Sequence, residues 1–452
     1  MSRSRPLESA QLIRRRPAAD PVESSSWPVR APPTARRVST GPVAGRGPRR
    51  REFVAKRGPA LRTRIIAFFA SIPIIAFAVV GGYYGRAAAG EEEQTYRHLR
   101  VFEDVVSLIS NNYVELVDLD DVLEGALRGL AEGLDSDSAY LSPSDARRIE
   151  SGQRLPEGRV GLDVTRRYYL QVIAALDGSP AAEAGIAPGD FVRAIDGEPT
   201  RLLSVIEGER RLHGEPGTTV TLSLIRGSTQ EPYDIALVRE RLAPTAVSGR
   251  LLEQVDGVGY LRIPAFDEGV AEAVAEEIAA LEANGASHVV IDVRNAAEGA
   301  YEAAVQAAGL FVADGTLAIR EEHGAASTPL ESTTGEDAIG LPVTLLTNFG
   351  SSGPAEVFVS ALVERERATS IGQRTAGRTS LQRLVPLPDG SALWLSWARY
   401  LTAAGESIHP FGLAPGIGVA VQLPELGEPL PEEDAVLERA IEEIEGLAAE
   451  AA

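Results

Sequence analysis

Between residues 257 and 422 the sequence alternates short apolar runs with helix-like segments. GVGYLRIPAF, SHVVIDVRN, LPVTLLTN and ATSIGQR have the composition of strands, and AEAVAEEIAALEANG and PAEVFVSALVERER that of helices. Such alternation is typical of a sheet with helices packed on its faces. The pattern predicts an α/β core over residues 242–425, and a chain of 452 residues has room for further domains.

Three other segments flank this core. Residues 156–241 contain five short strand-like runs separated by turn residues, which predicts a β-rich domain. Residues 86–153 are helical in pattern, and we expect them to pack together or to dimerise. Residues 426–452 form an acidic helix that we expect to pack on the body.

The N-terminal part is strongly basic and ends in an apolar run. Residues 1–64 hold 16 basic and 4 acidic residues, a net charge of +12, while the remainder carries −32. Residues 1–61 are expected to be a disordered cytoplasmic tail, and residues 62–85 a single transmembrane signal-anchor. The positive-inside rule then places the folded domains in the periplasm, with the anchor in the cytoplasmic (inner) membrane. A cleaved signal at 87–89 or a twin-arginine signal at 50–56 are alternatives that also export the body.

The composition excludes several classes of protein. There is no Cys, and the five His are scattered, so we expect no metal site and no cofactor. The acidic body argues against binding of nucleic acid. The only lysine of the chain is Lys56, in the basic tail.

The order of a helical region, a PDZ-like module and an α/β core is similar to that of the C-terminal processing (tail-specific) serine peptidases of family S41. GSPAAEAGIAPGDFVRAIDGEPT resembles their PDZ segment, and HVVIDVRN and DGSALWLSWARYLTAAGESIHPFGLAPGIGV resemble parts of their core. The resemblance covers about residues 90 to 445. It implies a ClpP/crotonase-like fold for the core and serine-type peptidase chemistry.

In this family a serine attacks the peptide bond and a neutral lysine takes its proton. The resemblance puts Gly353 at the position of the serine and Arg378 at that of the lysine, with Gln382 matching a glutamine that supports the lysine. Glycine has no nucleophile, and arginine stays protonated. Pro354 lacks the N–H expected of an oxyanion donor, and Glu298 replaces a glycine of the turn that supplies the other donor.

These departures predict a degenerate, inactive member of the family, a pseudoprotease. The alternative is an active endopeptidase with a rearranged site that uses Ser352 or Ser351, for which His409 would have to be the base. Otherwise we expect both serines to cap the following helix. Arg378 is expected to pair with Glu356 or Glu298, or to remain solvated.

The PDZ-like module predicts a second kind of site. PDZ modules bind chain ends by adding the peptide as a strand. The residues expected to bind peptide are Val160, Gly161, Leu162, Asp163 and Val164, with Leu162 and Val164 lining the pocket. The alternative is that these residues belong only to the core of the domain.

The resulting hypothesis is a membrane-anchored protein that binds peptide or protein C-termini, or unfolded segments. It would act as an adaptor or regulator, with an active protease homologue or a second copy of itself as further partners. A purely structural scaffold is the remaining alternative.

Overall fold

Amphipathic helices begin the described part of the chain, which the computed structural model gives as residues 98–227, 231–428, 431 and 433–451. The first elements are helix α1 (98–112), helix α2 (Leu119–Glu132), strand β1 (Ala139–Leu141) and helix α3 (Pro143–Glu150). Asp118 caps α2 by accepting a hydrogen bond from the N–H of Asp120. Helices thus form where they are predicted, but many of their large apolar side chains are exposed: Leu99, Val101, Val105, Leu108, Leu123 and Leu130.

A β-rich domain follows, as the strand-like runs predict. Its elements are β2 (Leu162–Arg166), β3 (Leu170–Ala175), α4 (Pro180–Glu183), β4 (Phe191–Ile195), β5 (Glu198–Pro199), α5 (Val205–Leu212), β6 (Thr219–Ile225) and β7 (Tyr233–Val238). Its sheet has the order β2-β3-β4-β6-β7, with β5 on β4, so that β2 is an edge strand. Exposed and buried residues alternate along β6, as expected for a sheet with one face on a core. Helix α5 packs against β2, and Ser204 caps it by accepting a hydrogen bond from the N–H of Glu207.

The remaining elements form the α/β core. In chain order they are β8 (Ser248–Leu251), β9 (Val258–Arg262), α6 (Val270–Ala283), β10 (His288–Asp292), α7 (Tyr301–Gly309), β11 (Gly315–Glu322), β12 (Thr328–Ser332), β13 (Val343–Thr347), α8 (Pro354–Glu364), β14 (Ala368–Gly372), β15 (Ser380–Pro386), β16 (Ala392–Thr402), β17 (Ile417–Gly418) and α9 (Ala435–Ala451). One sheet has the order β17-β14-β13-β10-β9-β8 and is parallel except for β8. The sheet with its packed helices confirms the predicted α/β core. Helix α6 faces it with Val270, Val274, Ile278 and Leu281, which are buried at helical spacing.

A second, antiparallel sheet was not predicted. It has the order β1-β16-β11-β12, with β15 also paired to β16. Strand β1 comes from the N-terminal region, where we expected only helices, and its three residues are buried against β16. A three-residue run carries too little periodicity to be recognised in the sequence. The N-terminal region is therefore joined to the core through a strand.

Helix α9 packs on the parallel sheet. Val436, Ala440 and Ile444 are buried in one cluster with residues of β9, β10, β13 and β14. The predicted packing of this helix on the body is thereby confirmed.

No helix in the described ranges is long and apolar enough to cross a membrane. The predicted anchor over residues 62–85 and the predicted tail over 1–61 lie outside those ranges. Both stay predictions.

The core offers a direct test of the fold. The fully buried ring of Phe358 on α8 lies 5.2 Å from that of Phe266 and 6.3 Å from that of Phe311, between ring centroids. Phe358→Ala should lower the free energy of unfolding by about 3–5 kcal/mol, because it removes a buried ring and leaves a cavity. Urea unfolding of the full chain, followed by circular dichroism, measures this. Phe411→Ala, at a side chain that is 78% exposed, is the matched control and should change the free energy of unfolding by less than about 0.5 kcal/mol. Equal losses in the two variants would contradict the buried position of Phe358.

Candidate active site

Two asparagines join the turns that follow β10 and β13. The side-chain N–H of Asn348 donates to Oδ1 of Asn295 at 2.9 Å, and the backbone N–H of Asn295 donates to Oδ1 of Asn348 at 3.1 Å. The crevice at the carboxyl ends of parallel strands is where α/β proteins bind ligands. The stretch from residue 348 to residue 353, which carries both candidate serines, is held at this crevice.

Neither serine caps helix α8. Ser351 is buried; its hydroxyl donates to the carbonyl of Val293 at 2.9 Å and accepts from the N–H of Asn348 at 3.1 Å. The hydroxyl of Ser352 forms no hydrogen bond with a described residue, whereas its N–H donates to the carbonyl of Ala296. The N-cap residue is Gly353. The predicted cap was wrong because a capping side chain must belong to the N-cap residue itself.

Gly353 has the backbone of a sharp strand-to-helix turn. Its φ is 58° and its ψ is −111°, a conformation that side chains rarely allow. A Cβ added there would lie 3.4 Å from the hydroxyl of Tyr301 and 3.5 Å from the carbonyl of Arg378, so a side chain has room. The turn that could present a nucleophile is therefore formed around a residue that has none.

The buried carboxylate of Glu356 organises the site. It accepts hydrogen bonds from the N–H of Gly353 at 3.0 Å, of Gly377 at 2.6 Å and of Arg378 at 2.7 Å, and from the hydroxyl of Thr375. Burial raises the pKa of Glu356 above its ordinary value, although these four donors favour the charged form. One side chain thus fixes both the start of α8 and the loop that carries Arg378.

The guanidinium of Arg378 points away from Glu356 and binds two other carboxylates. Its Nε donates to Asp137 at 3.1 Å, and its Nη1 donates to Asp163 on β2 at 3.1 Å. Burial by itself lowers the pKa of Arg378, but the carboxylates of Asp163, Asp137 and Glu209 raise it above its ordinary value. This group therefore cannot serve as a general base.

Glu298 also pairs with the PDZ-like domain. Its carboxylate accepts hydrogen bonds from both terminal nitrogens of Arg159, which lies just before β2. The expected ion pairs of Arg378 with Glu356 or Glu298 are therefore wrong: Glu356 binds backbone N–H groups, and Glu298 has a nearer cation in Arg159. Sequence reasoning missed Asp137, Asp163 as an ion-pair partner, and Arg159, because they lie far from residues 298 and 378 in the chain.

The two remaining candidates, His409 and Gln382, form hydrogen bonds with other groups and not with either serine. Nδ1 of His409 lies 2.9 Å from the carbonyl of Gly377. The side-chain N–H group of Gln382 donates to Ser380 and Ser396, and not to Arg378. His409 makes no hydrogen bond with Ser351 or Ser352.

The five predicted peptide-binding residues differ in how deeply their side chains are buried. Val160 and Val164 are completely buried in the core of the PDZ-like domain, whereas Leu162 is only partly buried. Val160, Leu162 and Val164 lie at alternate positions and all pack against this core, although a bulge in the β2–β3 pairing falls between Asp163 and Val164. The predicted pocket role of Val164 was therefore wrong. Gly161, with φ of 78°, packs so closely on Ser179 that a Cβ would lie 2.2 Å from it.

Glu209 on α5 was not singled out in the sequence. The pKa of Glu209 is raised from its ordinary value of 4.5 to about 7, chiefly by burial; the charges of Asp163, Asp137 and Glu298 also raise it, and that of Arg378 lowers it. Its carboxylate forms no hydrogen bond or ion pair with any residue that the structure describes. In the same ranges, no group of three or more His, Asp or Glu side chains is placed to hold a metal ion.

Comparisons with known proteins agree with this architecture. Residues 257–419 match the profile of Peptidase family S41, and residues 171–226 match that of the PDZ domain. A carboxy-terminal-processing protease of Bartonella bacilliformis is 29% identical over 369 residues, which are 80% of this chain and 84% of that protein. A carboxyl-terminal-processing protease of Synechocystis sp. is 31% identical over 261 residues, 57% of this chain and 61% of that protein.

Among solved structures, the photosystem II D1 C-terminal processing protease has the same fold. It matches with a TM-score of 0.59 at 23% identity, over 70% of this chain and 92% of that one. The predicted combination of PDZ domain and S41 core is confirmed. The predicted loss of activity is not tested by these matches and stays a prediction.

The role of Glu356 can be tested by removing one of its oxygens. In Glu356→Gln an amide N–H₂ replaces one carboxylate oxygen and faces N–H donors that then lack an acceptor. The free energy of unfolding should fall by roughly 2–3 kcal/mol, and the amides of Gly377 and Arg378 should exchange hydrogen faster. The exposed Glu282→Gln is the control; similar effects of both changes would contradict the anchoring role.

Glu209 predicts a pH dependence of stability. Because the folded state holds its proton up to about pH 7 and the unfolded state loses it near pH 4.5, stability should fall as pH rises through this window. Glu209→Gln removes the effect and should stabilise the protein by roughly 1–2 kcal/mol at pH 8 but not at pH 4, after allowance for partial exposure. Urea unfolding at several pH values measures this. Glu207→Gln, on the same helix, leaves Glu209 in place and should keep the same pH window as the unchanged protein.

Proposed function

Since the chain belongs to peptidase family S41 and has a PDZ domain before its protease-like core, we propose that it binds protein C-termini or unfolded segments and does not cleave them. The relatives that it matches are named carboxy-terminal-processing proteases, and PDZ modules bind chain ends. Peptide recognition is therefore the activity that this chain retains. The protein acts as an adaptor or regulator.

The observation that carries the loss of cleavage is the pairing of Arg378. A serine peptidase of this kind needs a nucleophile and a neutral base close to it. Here the base position holds a guanidinium fixed by Asp137 and Asp163, and the nucleophile position holds Gly353. The N–H of Gly353 is already used by Glu356, and Pro354 has none. Nucleophile, base and oxyanion donors are all compromised.

Features of β2 support peptide binding. As an edge strand beside α5 it has a free side on which a peptide can be added. The N–H groups of Val160 and Gly161, just before β2, have no acceptor among the described residues and suit a terminal carboxylate. Leu162 lies beside them and is partly buried, so that it can contact an apolar side chain of the peptide.

The alternative of an active endopeptidase needs a base near Ser351 or Ser352. Ser351 is engaged by Val293 and Asn348, and the ring of His409 lies on the carbonyl of Gly377. These contacts favour the pseudoprotease.

The proposal extends to location and partners. Residues 62–85 anchor the chain in the cytoplasmic membrane, and the folded domains lie outside the cytoplasm. The exposed apolar side chains of α1 and α2 suit a second copy of the chain or an active protease homologue. Neither nucleic acid nor a cofactor is part of the proposal.

Peptide binding is tested with the full-length protein and fluorescent peptides that end in a free carboxylate. We expect saturable binding that amidation of the peptide weakens by about tenfold or more, since the carboxylate is the recognised group. Leu162→Glu should abolish binding, whereas Val238→Glu, on the strand of the sheet farthest from β2, should not. Equal binding by all of these proteins would overturn the proposed groove.

Cleavage is tested in the same samples by mass spectrometry of the peptides and by a fluorophosphonate probe. We expect intact peptides and no labelling, because no activated serine is present. Cleavage that disappears in Ser352→Ala or Ser351→Ala would refute the pseudoprotease.

A further inference from the structure

Two carboxyl groups belong to β2 and α5, the two elements between which the proposed peptide would bind. Asp163 lies on β2, and Glu209 lies on α5, which packs against β2. The charge of Asp163 contributes to the raised pKa of Glu209, in agreement with the contact between β2 and α5. Asp137, whose side chain is 4% exposed, adds a third carboxyl group from the loop between α2 and β1. The groove is therefore acidic.

These charges are not balanced within the described residues. Arg378 is the cation that contacts Asp163 and Asp137, and Glu209 has no ion pair. One guanidinium thus faces two aspartates, and Glu209, which keeps its proton up to about pH 7, adds a further negative charge above that pH. A neutral peptide side chain between Glu209 and Asp163 would bury this excess negative charge further, which is unfavourable, whereas a basic side chain would compensate it.

The guanidinium of Arg378 contacts Asp163, which indicates that a cation can bind at this position. It comes from the core, reaches across to the PDZ domain and is only 20% exposed. Its Nη1 supplies the contact with Asp163, while its Nε holds Asp137 separately. An arriving cation needs to replace only the Nη1 contact, so that Asp137 keeps its partner.

On the basis of the proposed function, we infer that this groove selects chain ends carrying a lysine or arginine side chain, and that Arg378 occupies that subsite when no peptide is bound. The cation of the peptide lies between Asp163 and Glu209. Arg378 is then an internal competitor for basic peptides only.

The test uses peptides of one sequence with a free C-terminus. At each of the last five positions in turn, the residue is arginine, lysine, norleucine or glutamate, and binding to the full-length protein is measured by fluorescence anisotropy at two salt concentrations. At one position we expect arginine and lysine to bind at least about tenfold more tightly than norleucine, with a preference that decreases at high salt.

Variants of the protein then assign the preference. Glu209→Gln should remove most of it and leave the norleucine peptide unaffected, whereas Glu207→Gln, whose carboxylate pairs with Arg211, should leave it intact. Arg378→Gln should tighten binding of the basic peptide more than that of the neutral one. If Arg378→Gln lowers the melting temperature, the binding preference of Glu209→Gln tests the inference instead. No described residue pairs with Glu209, so this substitution breaks no ion pair.

Three results would overturn the inference. Peptide binding without any preference for a basic residue would refute the selectivity while leaving the proposed function in place. Equal tightening of all peptides by Arg378→Gln would mean that Arg378 covers the groove without competing for the subsite. Absence of binding by every peptide would refute the proposed function itself, and the selectivity with it.

Discussion

The site depends on the buried carboxylate of Glu356. Three backbone N–H groups and one hydroxyl converge on it from the start of α8 and from the loop of residues 375–378. A buried carboxylate is tolerated only with such a set of donors, and losing one partner would leave a costly unsatisfied group. Because Glu356 joins the start of α8 to the loop of residues 375–378, it fixes the positions of Gly353 and Arg378 relative to each other.

The positions that depart from the family pattern now connect domains. Arg378 pairs with Asp163 of the PDZ domain and with Asp137 of the N-terminal region, and Glu298 pairs with Arg159 just before β2. Exposed ion pairs contribute little, but the pair of Asp137 and Arg378 is largely buried and neither group can be left alone there. Ion pairs therefore connect the crevice at the ends of the parallel strands with the PDZ domain and with the N-terminal region.

Much of the fold could be predicted from the sequence, and little of the network could. The α/β core and the strands of the PDZ domain follow from local periodicity, which the chain shows clearly. Strand β1 and the antiparallel sheet around β16 do not, because their pairing joins residues distant in sequence. The complete burial of Val164 depends on how the whole core of the domain packs, which a strand pattern does not reveal.

The sequence by itself determined which chemical groups exist. Gly353 has no nucleophile, Pro354 has no N–H and Arg378 has no accessible neutral form, whatever the surrounding structure. Only the tertiary structure decided where the remaining charges go. The partners of Arg378 are 215 and 241 residues away in the chain, and that of Glu298 is 139 residues away. Such pairs form only after the domains have packed, because packing brings the carboxylate and the guanidinium within hydrogen-bonding distance and removes the water that would otherwise solvate them.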